Sequence, residues 1–469
     1  MKPIHFLFLA WFCSCELAVA NISGLKSPNS FLKNFESDRE VSDINVIADV
    51  SQKIALKQGE ATVISSTFNL AKSVIGAGVL SLPSGIAYFS DSPFAILPAS
   101  VLCATMGVVA AYSFSLIGKS CDLHKTSSFQ ETFAKSVSKK FAFLISIGIT
   151  FKCFFASLAY SIIIGDSFTS LAKTFSLPTV FASRSNVIIG ITALILFPLC
   201  SLQSLNALAP FSLLGLGGTL YTALFMFLRY LDKSYLPGGK FVAAVAPSFG
   251  TRPVSFDKKL FILVSMLSTS FIAHYNAPKF YAELKDATVS KFNQVIQGAF
   301  AIAICTFVFI MSVGFLSFGG TTQGFVLNNY HGKDSLATFA RIALGGALLT
   351  GYPFTFSALK EGISDLIGLK DKHRADASLP LTVILLGIVT SIALKLRDVG
   401  FVVSLSGAMF GNVLMFIVPA MMANGDLSSK RSLSKTDKIQ IMLNYLMITA
   451  GVIMTVLGVK TSIDRQLAH

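Results

Sequence analysis

Between residues 61 and 459 the chain passes through eleven apolar stretches separated by mostly short polar connections. They cover 61–89, 93–118, 141–171, 186–205, 209–231, 259–285, 292–318, 335–360, 379–396, 398–422 and 440–459. Each is near or above the ~17–25 residues that carry an α-helix across a bilayer. The runs are continuously apolar and lack a two-residue alternation, which argues against a transmembrane β-barrel. No single globular core could enclose so much apolar surface. The chain is 53% hydrophobic and 13% charged, whereas soluble domains carry about 25% charged residues. The sequence therefore predicts an all-α integral membrane protein of about eleven transmembrane helices, with the lipid bilayer as its first partner. The 34 glycines suit helix packing in lipid, where small residues let backbones approach.

The formal net charge is +14. In a soluble chain that balance would suggest nucleic acid. Here Lys and Arg sit mostly in the connections between apolar runs, with no basic, aromatic-interleaved patch, so they read as topology signals and headgroup contacts and no nucleic-acid partner is expected. With residue 61 at the cytosolic end, the inside connections hold sixteen Lys and Arg and the outside connections with the C-terminal tail hold twelve. Lys26, Lys33, Arg39, Lys53 and Lys57 add to the inside. The bias favours a cytosolic N-terminal tail. The first twenty residues, MKPIHFLFLAWFCSCELAVA, pull the other way. A basic start, an apolar core and an A-V-A ending have the shape of a signal or targeting peptide over 1–20, which would deliver the polar tail at 21–60 to the opposite side. The seven cysteines form no CxxC or other metal-ligand spacing. The last five are expected as small hydrophobes inside or just past apolar segments.

Two segments are not plain anchors. Residues 68–83, FNLAKSVIGAGVLSLP, place Asn69, Lys72, Gly76, Gly78 and Pro83 inside the first segment. On a helix Ser65, Asn69, Lys72 and Gly76 share one face, and polar groups at membrane depth face the bundle interior or a water-filled cavity. Two glycines followed by a proline loosen the helix. Unwound backbone survives at that depth only inside protein or beside a cavity, where it presents N–H and C=O groups to a ligand. Glycine-mediated packing with a snorkelling Lys72 is the alternative. The sixth segment holds STSFIAHYNAPKFYAELKD, residues 268–286, with Ser268, Thr269, Ser270, His274, Asn276 and Pro278 in an otherwise apolar run. If segments 1–5 and 6–10 are inverted repeats, this is the counterpart of the first, and paired interrupted helices point to a substrate site. His274 is a candidate proton relay or a hydrogen-bonded packing residue. Three further polar residues stand within segments: Asp166 as Lys72's partner, a gate or a helix-end carboxylate, Lys152 as a snorkelling or interhelically paired cation, and Asn412 as close helix packing or a gate.

Six stretches taken in order resemble the amino acid/auxin permease family: NLAKSVIGAGVLSLP, ASLAYSIIIGDSF at 156–168, FPLCSLQSLNAL at 197–208, SFIAHYNAPKFYAELKD, ALLTGYPFTFSALK at 347–360 and DVGFVVSLSGAMFGNVLMFIVPA at 398–420. The likeness is to the fungal vacuolar amino-acid transporters and the sodium-coupled neutral amino-acid branch. It implies a LeuT-like five-plus-five inverted repeat with broken helices 1 and 6. The first repeat would cover 61–231, the second 259–422 and an added helix 440–459, with a short tail at 460–469. It also implies roles. Backbone around Ile75, Gly76, Ala77 and Gly78 would hold the amino-acid moiety of the substrate, and Thr269, Ser270, Phe271 and Ile272 would face its side chain. In sodium-coupled relatives an asparagine of helix 1 and a threonine of helix 8 hold the ion. Thr350 matches the threonine. Lys72 stands where the asparagine is expected, a departure that favours protons over sodium, since a lysine charge can titrate on burial. Asn69, one turn earlier, remains an ion-site candidate.

The resulting expectation is a secondary active transporter of neutral amino acids, coupled to protons or, alternatively, to sodium, with no bound cofactor and a monomer as the default assembly. An amino-acid sensor on the same fold is the competing binding class. An enzyme is not expected: HExxH, GxSxG and paired intramembrane aspartates are all absent from the sequence. The resemblance suggests a vacuolar, lysosomal or plasma membrane, and the leader leaves another organelle open.

Overall fold

The computed structural model describes residues 59–202, 212–241, 246–250, 254, 257–369 and 371–468. The leader, most of the tail and part of the 197–208 motif lie outside them. Within them the chain is helical, with two isolated β-bridges, Ala61 to Leu284 and Ser248 to Gly319. The helices are α1 Val63–Val74, α2 Leu82–Phe89, α3 Pro93–His124, the short α4 Phe129–Ser136, α5 Lys139–Thr174, α6 Arg184–Cys200 and α7 Ser212–Leu231. They continue with α8 Leu260–Phe271, α9 Ala277–Glu283, α10 Val289–Phe318, α11 Ser335–Leu366, α12 Asp371–Lys395, α13 Val399–Ser428 and α14 Lys435–Leu467.

Among the described residues, eight helices are long and apolar enough to cross a bilayer, nine if the bent pair formed by α1 and α2 counts as one span. The shorter α6 and α7 stand where the fourth and fifth apolar segments predict spans. Several helices outrun the apolar runs that announced them. For example, α3 extends to His124 and α14 begins at Lys435 rather than 440. Hydropathy marks the part of a helix that lies in lipid, and backbone hydrogen bonding continues past it into the interface. Cys121 consequently falls inside α3. Cys103, Cys121, Cys153 and Cys200 are buried as expected, but Cys305 is exposed on α10, because its register turns it away from the packed face.

Both anticipated interruptions are present. The first span bends by 43° between its halves. Ile75 and Gly76 leave helical geometry, Gly76 at φ −101° and ψ 177°, and residues 77–81 form a 3₁₀ turn leading into α2. Pro83 fits there because the first turn of a helix needs no donor from it. The sixth span breaks at Ile272 and Ala273, passes through a 3₁₀ turn at His274–Asn276 and resumes with Pro278 in the first turn of α9. The interrupted spans are packed into the bundle: α1 and α2 against α10, α2 against α8, and α8 against α13 and α14. At Gly407 an added Cβ would collide with the Ser265 carbonyl, so only glycine lets α13 approach α8 this closely.

Candidate functional site

The first break borders open space. An added Cβ at Gly76 or at Gly78 would meet nothing within 4 Å. The glycines there are therefore not packing seats. Ile75 is buried, and its amide closes the last turn of α1 by donating to the Ala71 carbonyl at 2.8 Å. The Gly76 amide donates to Val74 and its carbonyl accepts from Val79. Ala77 opens the 3₁₀ turn. The polar stripe lies on the accessible side of α1. Ser65 and Asn69 are exposed and Lys72 is half-buried, whereas Ser66, Leu70, Ala71 and Val74 form the buried face. Ile64 and Phe68 share the exposed side.

The second break is more tightly engaged. Thr269 Oγ1 donates to the Val403 carbonyl of α13 at 2.6 Å. Ser270 Oγ donates to Met266 within α8. Phe271 is fully buried and packs on Phe300 and Phe307. Ile272 is buried too. One turn earlier, Ser268 donates to Asn412 Oδ1 at 2.6 Å, which makes Asn412 an interhelical clamp between the sixth span and α13. His274 is wholly enclosed. Its Nε2 lies 2.8 Å from Ser113 Oγ and 3.1 Å from the Ala110 carbonyl, its ring meets Phe114 and Phe300, and its Nδ1 is buried without a partner. A carbonyl can only accept, so Nε2 carries the proton. Thr350 is half-buried and donates to the Gly346 and Ala347 carbonyls of its own helix, both at 3.1 Å. Its neighbour Gly351 borders open space.

Polar residues that the apolar pattern left in doubt acquire definite partners. Asp166 gives one oxygen to Arg184 Nε at 2.8 Å and the other to Asn328 Nδ2 at 2.9 Å. It belongs to a loop-side network rather than to the first break. Lys152 donates to the Tyr275 hydroxyl at 2.8 Å, an interhelical pair with the broken sixth span. Sequence reasoning missed Tyr275, which carried no signal beyond its place beside His274. It also missed the pairs at the opposite ends of the helices, where Arg465 reaches Asp398 at 2.7 Å and lies over Tyr88, and Arg229 forks onto Asp334. Hydropathy sees charges near segment ends but not which of them meet. Among the described residues no group of three or more His, Cys, Asp or Glu side chains forms a metal site.

Two broken spans in corresponding places of a helical bundle, one opening on free space, define a transporter-type membrane fold. The chain belongs to the family described as transmembrane amino acid transporter protein, whose profile matches residues 59–464. A Danio rerio relative, provisionally named sodium-coupled neutral amino acid transporter 11, is 25% identical over 382 residues, covering 79% of this chain and 80% of that one. Vacuolar amino acid transporter 7 of Saccharomyces cerevisiae is 24% identical and covers 66% of this chain and 60% of its own. Amino acid transporter AVT6E of Arabidopsis thaliana is 24% identical over 84% and 82%. The fold is similar to that of MhsT in its complex with L-phenylalanine, with a TM-score of 0.54 at 14% identity over 86% of this chain and 100% of that one. It is also similar to inward-facing Mhp1, with a TM-score of 0.52 at 11% identity over 88% and 92%. The architecture is thus LeuT-like, and the protein is an amino-acid transporter of the membrane rather than an enzyme.

Proposed function

We propose that the protein moves neutral amino acids by alternating access and couples that movement to protons. The observation that carries this reading is the unwound backbone at Gly76 and Gly78, which opens on free space at the first break of a bundle whose sixth span is also broken. Backbone groups of this unwound stretch beyond those already bonded to Ala71, Val74 and Val79 suit the carboxylate and amine of an amino acid. The substrate set is Ile75, Gly76, Ala77 and Gly78, with Thr269, Ser270, Phe271 and Ile272 shaping the far wall. Thr269 and Ser270 already spend their hydroxyl hydrogens on carbonyls, and Phe271 is closed into the core, so their contribution is shape rather than donated hydrogen bonds.

For the proton, Lys72 is the better candidate than His274. Lys72 is half-buried one turn before the break. His274 is sealed among aromatic rings, where a travelling proton has no path. Sodium is the second reading. The name of the Danio rerio relative favours it, and Asn69 and Thr350 are the oxygen ligands it would use. The yeast relative's name supports a vacuolar or lysosomal type of membrane.

The test is uptake of labelled neutral amino acids into proteoliposomes. One set is driven by a pH gradient without sodium, the other by a sodium gradient without a pH gradient. Flux driven by protons alone and lost in Lys72→Asn is expected. Flux driven by sodium alone overturns the role of Lys72 and moves the ion to Asn69 and Thr350. Substrate binding without flux under either gradient identifies a sensor.

A further inference from the structure

Lys152 is not used by the reading above, and its position is unusual. It sits 13 residues into α5, counting from Lys139, which places it about 20 Å along the helix axis. A lysine that deep cannot snorkel to the near interface, and an intramembrane ammonium is costly unless it is compensated. Its compensation is neutral. Nζ donates to the Tyr275 hydroxyl at 2.8 Å and lies 4.6 Å from the centre of the same ring. Among the described residues Lys152 takes part in none of the ion pairs. The acidic group on the facing helix, Glu361, accepts from Ser357 at 3.0 Å and is exposed.

The surroundings are polar and incompletely closed. Tyr160, two turns further along α5, has Thr355 of α11 beside its hydroxyl, and its ring lies 6.5 Å from that of Tyr352, which in turn bonds Ser161. Lys152, Tyr160, Tyr275 and Thr355 all keep partial exposure although they lie between helices. Tyr275 belongs to the 3₁₀ turn of the sixth-span break, the element that must rearrange when access alternates.

We propose that Lys152, oriented by Tyr275, is a carboxylate-binding subsite of the translocation cavity. An uncompensated ammonium with one neutral hydroxyl partner is completed by an anion. A carboxylate can accept from Nζ and from the tyrosine hydroxyl together, with charge-assisted bonds roughly twice as strong as neutral ones. The carboxylate is either one on the substrate's side chain or its α-carboxylate, in which case the backbone at Gly76 and Gly78 holds the amine alone. This proposal rests on the transporter reading for its substrate, and its test separates the two.

Competition is measured against uptake of a labelled mixture of alanine, glutamine and leucine in proteoliposomes. The paired competitors are alanine with alanine methyl ester, and aspartate with asparagine. The wild type is expected to prefer the carboxylate member of at least one pair by about tenfold or more, since one charge-assisted bond is worth that much. In Lys152→Met that preference falls several-fold, Lys152→Arg retains most of it, and Tyr275→Phe shows a smaller loss. Collapse of the alanine preference assigns the α-carboxylate, and collapse confined to aspartate assigns a side-chain carboxylate. A merely structural lysine would lower thermal stability and leave both preferences standing, and that result overturns the proposal. So does a wild type indifferent to both pairs. If Lys152→Met carries no flux, the same preferences are read from ligand protection of the purified variant against thermal unfolding. A wild type that shows carboxylate-selective protection but no flux would sink the transporter reading and keep the subsite.

Discussion

Gly76 and Gly407 are both glycines in membrane helices, and the structure separates them sharply. A Cβ at Gly76 meets open space, and its backbone, at φ −101° and ψ 177°, lies in a region any residue adopts. Gly76→Ala should therefore fold. Its stability should change by less than about 1 kcal/mol, with a gain as the favoured direction because alanine restricts the unfolded chain. The new methyl group does, however, stand where a ligand would approach the unwound backbone. Losing one hydrogen bond to a charged amino or carboxylate group costs about 1.5–3 kcal/mol, which is roughly 10- to 150-fold in the transport KM. Gly407→Ala is the control. Its Cβ would run into the Ser265 carbonyl, so the α8–α13 contact must open at a cost of about 1–3 kcal/mol. Thermal unfolding of the purified proteins and concentration-dependent uptake measure the two effects. The expected pattern is normal stability with a raised KM for Gly76→Ala, and lowered stability for Gly407→Ala. Normal KM in a stable Gly76→Ala would refute the placement of substrate at the first break.

Two other variants test parts of the structure independently. His274→Gln should keep both transport and its pH profile, at a stability cost of about 1 kcal/mol for the lost bonds to Ala110 and Ser113. A flattened pH profile would return the histidine to the proton path. Asp334 caps α11 beyond the membrane-spanning part. Burial pushes its carboxyl up, but the hydrogen bonds from Arg229 and Tyr235 outweigh that and hold it below the usual carboxylate range. A lowered folded-state pKa means that the contribution is present above the ordinary carboxylate value near 4 and is lost as pH falls through the folded one. Unfolding temperature should therefore drop below about pH 4 in the wild type, and more shallowly in Asp334→Asn, which is less stable at neutral pH. Parallel curves would refute the ion pair's role.

The membrane class, the segment order and both interruptions were legible in the sequence because each has a local cause. Apolar length marks spans, and small, polar and proline residues clustered inside a span mark the two breaks, although Pro353 and Gly407 sit in unbroken helices. The partners were not legible. Asp166 reads equally well as a helix-end charge or a partner for Lys72, and only the approach of α6 and the 326–329 turn assigns it to Arg184 and Asn328. His274 reads as relay or packing until Phe114 and Phe300 close around it. Phe271 illustrates the same limit: its place beside the break marks it as a candidate, but only the register of α8 shows that its ring packs on Phe300 and Phe307 of α10. Period and composition fix which elements exist, whereas the rotation of each helix about its axis is set by packing against neighbours distant in sequence.

The two halves of the first span differ in a way that bears on alternating access. In α2 six of the eight residues, including Pro83, Ser84 and Ile86, are buried, and the half packs on α8, α10 and the start of α13. The far end there is tied down by Arg465, which stacks on Tyr88 while pairing with Asp398 at the head of α13. α1 has a buried face of four residues, rests on α10 and is joined to the end of α9 by the Ala61–Leu284 bridge. Ser65, Asn69 and Ser73 remain exposed along it. The α2 half is held by side-chain packing and an ion pair, whereas the α1 half keeps one face uncovered. Swinging α1 about Ile75 and Gly76 means opening its one extensive interface, the packed face on α10. Moving α2 instead requires breaking the Arg465–Asp398 pair and exposing a packed face. The asymmetry leaves α1 with one extensive helical interface, while α2 is held by several helices and by Arg465 of α14.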